Sequence, residues 1–78
     1  MKAFLVTVEP RKEHMGVDYH HEGEEFIYVL EGNVEMMVGE EKNVVRTGQS
    51  LHFNSAISHK LRNLGDKPAR FIAVIYTP

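Results

Sequence analysis

Two short runs of consecutive apolar residues constrain this chain more than anything else in it: Phe26-Ile27-Tyr28-Val29-Leu30 and Phe71-Ile72-Ala73-Val74-Ile75. Each is rich in aromatic and β-branched side chains, is shorter than an ordinary helix and is bounded by turn residues. Each therefore reads as a strand that is apolar on both faces. Such strands need cover on both sides. In a chain of 78 residues, one face can look into a small core and the other has to meet something else, which makes a homodimer packing sheet against sheet the expected assembly.

No stretch sustains apolar residues at i, i+3, i+4 and i+7 for three turns, so the class is all-β. Strands are expected near residues 3–8, 17–21, 25–31, 34–38, 43–46, 51–53, 59–63 and 69–76. Gly32-Asn33 has the character of a two-residue hairpin turn, and Gly39 and Thr47-Gly48 close later turns, so the pattern predicts a meander of hairpins. No internal repeat interrupts it, and residues 1–78 are expected to form one domain.

A chain this short buries only roughly 60% of the surface of its unfolded form. It has no cysteine to add a disulfide, so an oligomer or a bound metal is the expected extra source of stability. The formal charge of −2, with signs mixed along the chain, offers no basic face for a run of phosphates, so nucleic acid is not expected as a partner. The apolar stretch from Ala3 to Val8 is shorter than a signal-peptide core or a membrane span, and no membrane partner is expected. A soluble, cytoplasmic protein is the expectation, with which the lack of cysteine is compatible.

Strand parity sorts the residues that carry chemistry, because side chains two apart share a face. His21 shares one with Val17 and Tyr19, and His59 shares one with Leu61 and Asn63. Glu25 joins Ile27 and Val29, the one carboxylate in an otherwise apolar inward row. Burying it unpaired would be costly, so it should be protonated, hydrogen-bonded or bound to a cation. Two imidazoles and a carboxylate around a cavity suit a divalent metal: iron, zinc, manganese, nickel or copper. Two alternatives stand beside this. The imidazoles can hydrogen-bond to each other or to Tyr19, and Glu25 can pair with Arg62 or Arg70. Tyr19, Met36, Phe53 and Leu61 are the expected ligand-binding lining. Asn63 reads as a turn or barrel-end residue, and His14, His20, His52, Glu22 and Glu24 as surface residues.

The segment His21-Glu22-Gly23-Glu24-Glu25-Phe26-Ile27-Tyr28-Val29-Leu30-Glu31-Gly32 resembles the first motif of the cupin superfamily, H-x-H-x3-E-x6-G, from its second histidine onward. Gly48 followed by His59-Lys60-Leu61-Arg62-Asn63 resembles the second motif, a glycine turn and then H-x3-N. The wording is most similar to small cupins found alone or as C-terminal sensor modules of helix-turn-helix transcription regulators. The resemblance implies a small β-barrel or jelly roll, a dimer, and a divalent metal held through His21, Glu25 and His59.

Tyr19 departs from the pattern, standing where the family has its first motif histidine. A phenol with a pKa of about 10 is a poor ligand for most divalent ions, and His20 would substitute only if a bulge turned it inward. Arg46, Gln49 and Ser58 depart in the second motif and affect loop stiffness more than chemistry. The expected function is a binding module that holds a divalent metal, a small polar ligand or both inside the barrel, as the sensor part of a transcription regulator. The alternative is a small metal-dependent enzyme of the dioxygenase or isomerase type; no catalytic residue is assigned.

Overall fold

The computed structural model describes residues 1–11, 13–14 and 22–77. The expected strand at 17–21, with Tyr19, His20 and His21, lies outside the described residues. Those described form eight strands: β1 Lys2–Val8, β2 Glu13–His14, β3 Glu24–Glu31, β4 Asn33–Val38, β5 Glu41–Arg46, β6 Ser50–Asn54, β7 His59–Asn63 and β8 Ala69–Tyr76. They build two antiparallel sheets with the orders β1-β8-β3-β6 and β2-β7-β4-β5. The class is all-β, as the periodicity requires, and the two facing sheets make a jelly-roll barrel.

The connectivity corrects the expected meander. Among the described strands, only β4 and β5 are neighbours both in sequence and in a sheet. Gly32-Asn33 is not a hairpin: β3 pairs with β6 and β8, whereas β4 pairs with β5 and β7, so the chain turns a corner there and changes sheet. Gly32 has a φ of 88°, and a Cβ on it would lie 3.0 Å from the Ala69 methyl, so the corner needs a residue that is both left-handed and small. Alternation reveals which face a strand buries but not which strand lies beside it, and the expected hairpins rested on that missing information. β2 was not expected at all; two residues leave no periodicity to read.

The pleat puts Ile27 and Val29 of β3, Val34 and Met36 of β4, Leu61 of β7, and Phe71 and Ala73 of β8 into one core with Val8, Val45, Phe53 and Ala69. Burying a side chain such as Ile27 or Leu61 stabilises the fold by roughly 1.5–3 kcal/mol. Asn63 is a structural residue, as its place at the barrel end suggested. It is buried, and its amide donates to the carbonyls of Val8 (3.1 Å), Glu9 (3.3 Å) and Lys67 (2.8 Å), while its oxygen accepts from the Gly65 N–H (2.9 Å). One side chain thereby ties the end of β1 to the turn between β7 and β8.

Candidate functional site

Glu25 stands second on β3 and His59 first on β7, so the site draws one group from each sheet. Alternation turns Glu25 inward: Glu24 is exposed, Glu25 buried, Phe26 exposed and Ile27 buried. Its carboxylate Oε2 lies 3.5 Å from the Nε2 of His59, and both side chains are nearly enclosed.

The turn before β7 sets the imidazole. Asn54 accepts from the Ala56 N–H at 2.9 Å, the Ser55 N–H donates to the Gly23 carbonyl at 3.0 Å, and the Gly39 N–H donates to the Ser58 carbonyl at 2.7 Å. In the turn so fixed, the Ile57 carbonyl lies 2.9 Å from His59 Nδ1. A carbonyl only accepts, so Nδ1 carries a proton and donates it. In the neutral ring Nε2 is then a bare lone pair facing a carboxylate oxygen. Two electron-rich atoms so placed call for a positive charge between them, either a proton or a cation. Phe53 packs edge-on against this ring, with centroids 4.8 Å apart and planes at 62°. It borders the imidazole and is absent from the described cavity wall.

A cavity of about 680 Å3 opens beside the pair. Met36 and Leu61 line it, together with Phe4, Val6, Phe71 and Ala73. The contribution of β1 was missed in the sequence, although the alternation Lys2, Phe4, Val6, Val8 carried the signal. The structure also disposes of the alternative partners for Glu25: Arg62 points outward to Glu35 at 3.5 Å, and Arg70 lies 3.8 Å from Glu31. His52 and Glu24 form an exposed pair at 3.3 Å, in keeping with surface roles. Among the described residues, no three His, Cys, Asp or Glu side chains converge as a metal cluster, and none forms a helix long and apolar enough to cross a membrane.

Two facing antiparallel sheets with an inward carboxylate and imidazole at one end of an apolar cavity define a jelly-roll barrel of the cupin type. The sequence model of the cupin domain matches residues 4–75, and the chain belongs to this family. Protein SchB of Streptomyces halstedii is 37% identical over 67 residues, which make up 86% of this chain and 49% of SchB. The chain spans about half the length, or less, of the curated relatives it matches. The crystal structure of the cupin domain of an XRE family transcriptional regulator from Enterobacter cloacae superimposes with a TM-score of 0.88 at 22% identity, covering 97% of this chain and 80% of that one. An HTH_3 family transcriptional regulator from Vibrio cholerae gives a TM-score of 0.86 at 22% identity, covering 97% of this chain and 42% of the regulator.

Proposed function

We propose that this chain is a binding module that holds a divalent metal, a small molecule or both inside the barrel, serving as the sensor part of a regulator. The observation that carries the metal reading is the Glu25–His59 pair: a carboxylate oxygen and an imidazole nitrogen 3.5 Å apart, with the other ring nitrogen committed to the Ile57 carbonyl. That donor set fits a divalent ion, which takes neutral imidazole and carboxylate ligands and benefits from a second hydrogen bond that fixes the ring. His21, four residues before Glu25, is the third ligand in this reading. A metal there would supply Lewis acidity and a positive charge at the end of the cavity. Glu25 and His59 would hold it, and Phe53 would keep water from one side of the ring.

The likeness to cupin domains of transcriptional regulators supports the sensing role. Elemental analysis of protein purified without nickel affinity or added metal tests the site. Stoichiometric metal is expected in the wild type and not in His59→Ala or Glu25→Gln; a wild type that binds no divalent ion would defeat the metal reading.

The assembly in this reading is a homodimer through the outer face of the β1-β8-β3-β6 sheet. Its two central rows are Leu5, Ile72, Tyr28 and Ser50, and Ala3, Val74, Phe26 and His52. Apart from the imidazole at one end, they carry no ionisable group that is charged at neutral pH. Arg70–Glu31 lies beyond one end and Glu24–His52 at the other. An apolar centre with a polar rim is the anatomy of an interface, and a second copy presenting the same face supplies a matching surface. Sedimentation over a range of concentrations tests it, and a strict monomer would refute it.

A further inference from the structure

We propose that the free edge of β1 pairs with β1 of a second copy, and that the partner's Phe4 and Val6 extend the wall of the cavity. Among the described strands, four lie at sheet edges: β1, β6, β2 and β5. An edge left long, straight and apolar invites another strand, and proteins that keep an edge free shorten it, bulge it or place charge on it. β5 carries exposed Glu41, Lys42 and Arg46, the exposed residues of the five-residue β6 are Ser50, His52 and Asn54, and β2 is two residues long. β1 has none of these protections. It runs for seven residues in unbroken register with β8, and nothing charged stands between Lys2 and Glu9.

β1 is also open on both faces, with Leu5 on the outer side 59% exposed and Phe4 on the inner side 47% exposed. Phe4 pairs with Ala73 and Ala73 with Ile27, and along that inward row exposure falls from 47% through 8% to 0%. The barrel wall stops short at β1, and an inward aromatic side chain stands half uncovered where the next strand would lie. Two β1 strands related by a two-fold axis normal to the sheet run antiparallel. Opposed residues then share a face, so both inner faces lie on the same side. Full overlap of Lys2–Val8 puts the axis at Leu5, with Phe4 opposite the partner's Val6 and Ala3 opposite the partner's Thr7. Each Lys2 comes to the end where the partner's Glu9 follows Val8, so the charges that flank the strand are complementary. Phe4 and Val6 line the cavity in one copy, and the partner's Phe4 and Val6 continue that wall past the edge. The bearing on a ligand rests on the cavity being a ligand site; the pairing itself does not. A seven-residue edge is a small contact beside the roughly 1,200–2,000 Å2 of a stable interface, so it is weaker than outer-face packing and fills only at high protein concentration.

The chain has no cysteine, so single introduced cysteines report proximity without background. Phe4→Cys and Val6→Cys are mixed in equal amounts at high concentration and oxidised mildly. Opposed residues of an antiparallel pair have Cα atoms about 4.5–5.5 Å apart, inside the range a disulfide spans. The mixed disulfide is expected to form at least about tenfold faster than the dimer of Lys42→Cys, an exposed β5 position that reports random collision. Outer-face packing does not imitate this, because it leaves both residues on the far side of the sheet. In the unmodified protein, alternate amides of β1 are expected to exchange more slowly with deuterium as concentration rises, a readout that needs no variant to fold. A mixed disulfide no faster than that of Lys42→Cys, in variants folded by circular dichroism, overturns the proposal. So do β1 amides indifferent to concentration, and either result leaves the outer-face dimer and the ligand reading as they stand.

Discussion

The outer faces of the two sheets are built on the same pleat and could hardly differ more. On the β2-β7-β4-β5 sheet the outward residues are Lys60 and Arg62, Glu35 and Met37, and Lys42, Val44 and Arg46, with Arg62 seated on Glu35. At the centre of the β1-β8-β3-β6 sheet they are Leu5, Ile72, Val74, Phe26 and Tyr28, of which Leu5, Phe26 and Tyr28 are exposed, with the charged pairs Arg70–Glu31 and Glu24–His52 only at the ends. The charged face is content with water. The apolar one leaves large side chains in it, and the hydrophobic effect favours covering them. The inner faces, by contrast, are alike, so what separates the sheets is how much apolar surface each leaves exposed and not their part in the core.

Four substitutions break or sharpen this contrast. Leu61→Ala, on the shared inner side, is expected to cost about 2–5 kcal/mol in chemical denaturation, far more than any change on either outer face. Asn63→Ala follows at about 1–3 kcal/mol, because three carbonyls and one N–H lose their partner at once. If the proposed dimer forms, Phe26→Asp should abolish its self-association in sedimentation while the subunit stays folded by circular dichroism; self-association that persists would move the interface elsewhere. Arg62→Ala is expected to cost no more than about 1 kcal/mol, since its ion pair is half exposed, and to leave assembly unchanged. Should Arg62→Ala dissociate the protein and Phe26→Asp not, the assignment of the faces is reversed.

Much of this was legible in the sequence, for a physical reason. Strand periodicity of two is a local property, so the limits of β7 and β8 and the inward turn of Glu25, Met36 and Leu61 follow from neighbours alone. Which strands lie side by side is not local: the glycine at position 32 suits a hairpin as well as a corner, and only the approach of Ala69 tells them apart. The Glu25–His59 pair was half legible. Parity turned both inward, but the Ile57 carbonyl that fixes the ring is a backbone atom without a residue-type signal.

Glu25 and His59 belong to different sheets, and that has a consequence for the lifetime of the protein. Whatever settles between them grips both layers, and it loses that grip the moment they part. Occupancy then raises the free energy of unfolding by RT ln(1 + [L]/Kd), about 2.7 kcal/mol at a hundredfold excess over Kd. Where proteolysis samples the opened chain, that is about a hundredfold drop in the cleavable population, so resistance to digestion becomes a gauge of how full the barrel is.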